Sequence, residues 1–344
     1  MEVALYCPIF GYYERLGGAV RVGRQGDFIT SVSVGKLFGG LLAFQFSAWL
    51  EELPGPQLDL VEAGAHDGAL AADILAWFRL RRPDLVPRLR YWVVEPSPRR
   101  QGWQRARLDK FAGQVRWIPA LSDLPSHSVQ GVVFSNELLD AFPVNRLGWD
   151  AARSNWFEWG VAQEAGRFAW RRLPVTPHAP WPARLRSLGL EIPPELAAVL
   201  PDGFTLDVCP AAGDWWRQAA SVLAQGRLLT FDYGLMAQEF LLPRRASGTL
   251  RAYSRQHAVE DPLADPGGQD LTAHVNFTDL EQSGEALGLV TERFESQEAF
   301  LSRVAAEYWR GAAPSREEVR QFQTLVHPEH FGRSFRVLLQ RRGE

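Results

Sequence analysis

Residues 60–70 read LVEAGAHDGAL: an apolar run enters a turn bounded by two glycines, and a helical pattern leaves it. The run is Leu58–Ala63, and "ALAADILAWFRL" beyond the turn repeats its apolar residues at helical spacing. Strand, glycine turn and helix in that order open a dinucleotide-type fold, in which a middle glycine lets the backbone approach a pyrophosphate. Here Gly64 and Gly68 are separated by Ala65, His66 and Asp67. His66 carries a ring where close approach is needed, and Glu62 adds a negative charge beside it. Such a turn repels phosphate and suits a ligand with a positive group, for instance an ammonium. Asp67 reads as the N-cap of a helix starting at Gly68, where an acid complements the helix dipole. A bulky residue at Gly68 is expected to block that ligand while leaving the fold largely intact.

Outward from this turn the alternation continues. Arg90–Glu95, Val115–Ile118, Gly131–Ser135 and Arg227–Phe231 are short apolar runs, and "PRRQGWQRARLDKF" is helix-like. Strands alternating with helices predict a mostly parallel sheet, with ligands outside the carboxyl ends of the strands. "KLFGGLLAFQFSAWLEEL" before the sheet has helical periodicity and stops at "PGP". From residue 145 the pattern changes to antiparallel strands with turns at Asp150–Ser154 and Glu164–Gly166, then to the Pro-rich "PVTPHAPWP". "GLVTERF" and "RSFRVLLQRR" supply two further strands. The expected organisation is a helical segment and lid over 1–56, a core over 57–144 and 204–344, and an inserted lobe over 145–203.

The second strand ends in "YWVVEPSP", which puts Glu95 where ribose hydroxyls are received. A ligand with a ribose, a cationic tail and no phosphate is S-adenosylmethionine. The fourth strand runs into "VVFSNELLDAFPV", so Asn136 and Glu137 present an amide and an acid beside the expected position of the cofactor. Asn136 also suits an Asx-turn, and Asp140 a helix cap.

A net charge of −3 gives a polyanionic partner nothing to grip, so nucleic acid is not expected. Cys7 and Cys209 make no disulfide framework and have no metal-ligand spacing, so a reducing cytoplasm and no metal are expected. "MEVALYCPIF" does not read as a signal peptide, and no window approaches a membrane span. Thirteen Trp read first as core material.

Several stretches together resemble one family. "YYER" with "GDFITSVSVGKLFGG" (12–40), "VEAGAHDGALAADIL" (61–75), "VVEPSP" (93–98), "SNELLDAFPVNRL" (135–147), "GRLLTFDYG" (226–234), "SGTLRAYSRQH" (247–257) and "PGGQDLTAHVNFTDL" (266–280) occur in family order. The chain resembles the MidA-like S-adenosylmethionine-dependent methyltransferases, which include a mitochondrial arginine methyltransferase of complex I assembly. The resemblance implies a class I methyltransferase α/β fold with an antiparallel C-terminal strand, S-adenosylmethionine as cofactor and a protein acceptor, and it leaves room for a homodimer. It implies cofactor contacts from Glu62, Gly64, Ala65, His66, Gly68 and Glu95, with Asp27, Phe28 and Thr30 in a lid. Catalytic candidates at strand ends are Asn136, Glu137, Asp140 and Asp232, joined by His274 of "DLTAHVNF" as a base or a core histidine. Ser33 and Gly40 stand where the family commonly has Glu. Two other readings remain at this point: a non-catalytic cofactor-binding assembly factor, and a nicotinamide oxidoreductase, which His66 and Glu62 oppose.

Overall fold

The computed structural model describes residues 1–14, 29–173, 181–255 and 257–343. It divides into two compact units. One comprises Thr30–Leu138, Trp215–Asp232 and Ser283–Glu344; the other comprises Met1–Ile29, Leu139–Asp214 and Tyr233–Gln282.

The first unit contains the parallel sheet. Four strands open it: β1 (Leu58–Ala63), β2 (Leu89–Val94), β3 (Val115–Ile118) and β4 (Val129–Asn136). The sheet runs in the order Val290–Ser296, Phe335–Arg342, Leu223–Leu235, β4, β1, β2, β3. β1 pairs in parallel with both β2 and β4, β2 with β3, and β4 with Leu223–Leu235. Val290–Ser296 and Phe335–Arg342 pair antiparallel. The expected α/β class therefore holds, as does the mostly parallel sheet with an antiparallel strand near the C-terminus.

All six residues of β1 are buried, which is why it reads as an apolar run rather than an alternation. Its first acid is fully engaged: Asp59 receives Arg90 at 2.8 and 3.0 Å and the Trp92 indole at 2.9 Å. Phe46 and Phe134 pack with ring centroids 4.9 Å apart, and Phe231 meets Phe300 at 5.1 Å. The helices Lys36–Glu51 and Ala69–Arg81 add Phe38, Leu41, Phe46, Ile74 and Phe78 to the same core. Because β1 has β2 on one side and β4 on the other, the strand order reverses there. A crevice opens at such a point outside the carboxyl ends.

In the second unit, Arg167–Arg172, Asn155–Glu164, Asn145–Asp150 and Thr205–Val208 form an antiparallel sheet. Its turns fall at the two places the sequence marked. A smaller sheet of His257–Val259, Arg251–Ser254 and Asp270–Thr272 lies in a stretch read only as a family motif. Leu5 and Tyr12 bury against Leu250, Ala252 and Leu271. That packing puts the first residues of the chain in this unit, so the units divide the chain differently from the expected 1–56, 145–203 and core segments.

Candidate cofactor and catalytic site

The turn after β1 is built from left-handed backbone. Gly64, His66 and Gly68 have φ of 79°, 46° and 84°. At Gly64 a Cβ would lie 3.1 Å from Leu138 Cδ1, so glycine serves both conformation and space there. His66 reaches the same region at a cost, histidine being one of the non-glycine residues that enter it more readily. Asp67 does not cap the helix as expected. Gly68 occupies the cap position, and Asp67 accepts the Ala69 amide from one residue earlier, at 3.1 Å.

The expected tolerance of Gly68 to a larger residue is also corrected. Left-handed backbone costs an L-residue about 1–2 kcal/mol, and a Cβ at Gly68 would lie 3.3 Å from Leu108 Cδ1. Gly68→Ala should lower stability by about that amount, with β-branched Gly68→Val costing more. An unchanged thermal midpoint in Gly68→Val would contradict this backbone argument.

Glu62 closes β1 at 2% exposure and accepts the Tyr91 hydroxyl at 2.7 Å. Burial pushes its carboxyl up to about 7; the Tyr91 hydrogen bond opposes this and the charge of Asp67 adds to it. A buried acid with one neutral donor becomes a good anion when a cation arrives. Glu95, just past β2, is 3% exposed and much better supplied. Its Oε1 accepts the Ser97 amide and Arg100 Nε, both at 2.9 Å, and its Oε2 accepts Gln104 Nε2 at 3.1 Å.

At the end of β4, Asn136 Nδ2 donates to Glu137 Oε1 at 2.9 Å, and the Ser31 amide donates to the same oxygen at 3.0 Å. Glu137 has φ of 53°, a strained value for a non-glycine residue, and its amide is tied to the Phe231 carbonyl at 2.9 Å. Asn136 Oδ1 is buried with no hydrogen-bond partner among the described residues. Asp232 is wholly buried and accepts the Leu138 amide at 3.2 Å. Thr30 and Ser33 bond reciprocally: Thr30 N donates to Ser33 Oγ at 2.9 Å, and that hydroxyl donates to Thr30 O at 2.8 Å. Ser31 Oγ reaches Gln297 Oε1 at 3.2 Å.

The first unit thus gathers Glu62, Gly64, Ala65, His66, Gly68, Glu95, Thr30, Asn136, Glu137 and Asp232. Asp140 and His274 belong to the second unit. There Asp140 lies inside the turn Leu139–Ala141 rather than capping a helix, and its carbonyl accepts the Ala273 amide at 2.9 Å. Burial, then the charges of Arg245 and Arg251, push His274 down to about 4. So weak a base is poorly matched to proton abstraction near pH 7. The folded state disfavours its protonated form, so the stability due to His274 is present above its ordinary value near 6.5 and is lost as pH falls towards 4. His274→Gln should flatten that acid limb in thermal unfolding at stepped pH. Asp27 and Phe28 lie outside the described residues.

Sequence reasoning missed Tyr91, Ser31, Arg100 and Gln104. Of these, Gln104 is the one fully buried residue of the helix Pro98–Arg107.

A buried acid with one neutral donor near the end of β1 and a second buried acid just past β2 together fit a nucleoside bearing a cationic tail. The sheet order and these groups define a cofactor-binding α/β protein of the methyltransferase class. A family model for S-adenosyl-L-methionine-dependent methyltransferases matches residues 41–295 of the 344, and the chain belongs to that family. A solved structure of a superfamily member from Burkholderia thailandensis, bound to S-adenosyl-homocysteine, is 31% identical with a TM-score of 0.83, covering 99% of this chain and 86% of that one. The mitochondrial protein arginine methyltransferase NDUFAF7 of Xenopus laevis is 25% identical over 98% of this chain and 78% of its own length. For the Homo sapiens protein of that name the figures are 26%, 97% and 77%. The protein is an S-adenosylmethionine-dependent methyltransferase. Among the described residues no helix is long and apolar enough to cross a membrane, and no cluster of His, Cys, Asp or Glu could hold a metal.

Proposed function

We propose that the enzyme methylates a guanidinium nitrogen of an arginine side chain in a partner protein, received by Asn136 and Glu137. The observation that carries this reading is Asn136 Oδ1, a buried acceptor with no partner among the described residues, beside an acid held in strained backbone. An unpaired buried acceptor costs about 1–3 kcal/mol, and a ligand rich in N–H groups removes that cost. A guanidinium offers several such groups in a planar fork and matches a carboxylate. The names of the NDUFAF7 relatives support the same acceptor.

In this reading Glu62 faces the ammonium of the cofactor and Glu95 its ribose. When bound, the cofactor supplies a methyl group on a sulfonium. The chain's own work is to align the acceptor nitrogen for in-line displacement, which can lower a barrier by roughly 7–11 kcal/mol, and to take up the proton the nitrogen loses. Glu137 is the residue assigned to that proton, with Asp232, inside the strand Leu223–Leu235 and bonded to the Leu138 amide, as the second candidate.

Incubation of the protein with lysate and labelled methyl donor, followed by peptide mass spectrometry, tests the proposal. Label on arginine, absent with Glu137→Ala, supports it; label on another residue type moves the acceptor. No label at all with bound cofactor would favour the non-catalytic assembly factor. A cytoplasmic location, argued from a sequence with only two cysteines and no disulfide framework, is part of the proposal, although the relatives above are named mitochondrial. Fractionation of the source cells decides it.

A further inference from the structure

The helix Pro98–Arg107 has a single buried side chain, Gln104, which is wholly inaccessible. An amide in that position is costly unless its groups are paired. Its Nε2 donates to the His66 carbonyl at 2.9 Å and to Glu95 Oε2 at 3.1 Å, while its Oε1 accepts the Trp117 indole N–H at 3.0 Å. One side chain therefore ties together the turn after β1, the acid beyond β2 and an indole on β3. The span of those contacts is not a local requirement of the helix, whose remaining faces are exposed or half-buried.

We propose that Gln104 is a positioning residue for the cofactor, setting the His66 turn and the Glu95 carboxylate relative to one another and aiming the last free acceptor of Glu95. A carboxylate has about four acceptor positions, two on each oxygen. The Ser97 amide and Arg100 fill Oε1. Gln104 takes one position on Oε2, which leaves one open among the contacts of the described residues. The direction of that open position is fixed by where the Gln104 amide sits. The second N–H of the same amide holds the carbonyl of His66, the one non-glycine left-handed residue of the turn. Loss of the amide would loosen both halves of the site at once without touching the strands. Gln104 acts through Glu95 and His66 and is not assigned a contact with the reacting atoms.

The inference rests on the reading of Glu95 as the acid facing the ribose. Calorimetric titration with S-adenosylhomocysteine, paired with thermal unfolding of the ligand-free protein, tests it on Gln104→Met, Gln104→Glu, Glu95→Gln and the Gln104→Met/Glu95→Gln double variant. Gln104→Met keeps length and removes both donors, and should weaken binding about tenfold to a hundredfold. In the Glu95→Gln background the same change should add much less, because its effect is exerted largely through Glu95. Full additivity of the two losses would reduce Gln104 to a structural role and overturn the inference. Gln104→Glu supplies a separate signature. A buried acid facing Glu95 holds a proton, and only in that form can it donate to Glu95. Its affinity relative to wild type at the same pH should therefore improve as pH falls from 8 to 5.5, since the Glu62 proton argued below is common to both proteins. If Gln104→Met does not fold, this pH response decides, and a wild-type-like response overturns the inference. Normal binding by Glu95→Gln would sink the reading of Glu95 itself. Impaired binding by Glu95→Gln with normal binding by Gln104→Met would sink only the role of Gln104.

Discussion

Replacing Glu137 by glutamine should leave affinity for S-adenosylhomocysteine within a few-fold and slow methyl transfer by about two orders of magnitude or more, the scale of a lost acid–base group. The substitution is nearly isosteric. Its carbonyl oxygen can still accept the Ser31 amide, and the Glu137 main chain stays tied to the Phe231 carbonyl. What disappears is the negative charge and the capacity to accept a proton. In the wild type Ser31 and Asn136 both donate to Glu137 Oε1.

Cofactor affinity and single-turnover transfer, measured on one preparation, separate binding from chemistry. Asp140→Asn should be milder, since Asp140 belongs to the other unit and its described main-chain bond to Ala273 would persist. Wild-type transfer by Glu137→Gln would remove Glu137 from the chemistry and leave Asp232, wholly buried on the neighbouring strand, as the next candidate. His274 is no longer an equal alternative, because burial and two arginines have weakened it as a base.

The strands that carry the site were legible for a simple reason. Parallel strands covered on both faces must be apolar throughout, so β1 and β4 stand out as runs, and any acid inside them is conspicuous. Glu62, Glu95 and Glu137 were found that way, by position at a strand end. Their partners were not legible. Tyr91 lies 29 residues from Glu62, and Ser31 lies 106 from Glu137, so only the register of the sheet and the course of the loops bring them together. The small sheet around Arg251–Ser254 has strands of three or four residues, too short to show a period. The opening residues precede the helix Lys36–Glu51 in the sequence. Their apolar side chains, Leu5 and Tyr12, instead find Leu250 and Leu271 some 240 residues or more downstream. Asp59 shows the limit of the positional argument: it is as buried as Glu62 in the same strand, yet Arg90 and Trp92 occupy it fully.

Cofactor binding should strengthen as pH rises from about 5 to about 7, and Glu62→Gln should abolish that rise. Burial holds the Glu62 carboxyl near 7 in the free protein, with the Tyr91 hydroxyl its one hydrogen-bond donor among the described residues. A cationic ammonium beside it favours the ionised form, so binding below pH 7 must expel a proton. Each pH unit below that value weakens binding by up to tenfold, or about a hundredfold between pH 7 and pH 5. Above about pH 8 the ammonium itself begins to lose its proton, and the profile should turn over. Folding stability runs the other way. The folded state holds the Glu62 proton more tightly than the unfolded chain does, so stability due to this group is present below its ordinary value near 4.5 and is lost as pH rises through about 7. That loss amounts to about 3 kcal/mol at 1.36 kcal/mol per unit. His274 imposes the opposite slope across an overlapping range, so the stability effect must be read as the difference between wild type and Glu62→Gln. Titration in two buffers of different ionisation enthalpy measures the released proton directly. A pH-independent affinity with no proton release would mean that Glu62 does not face the cationic end of the cofactor.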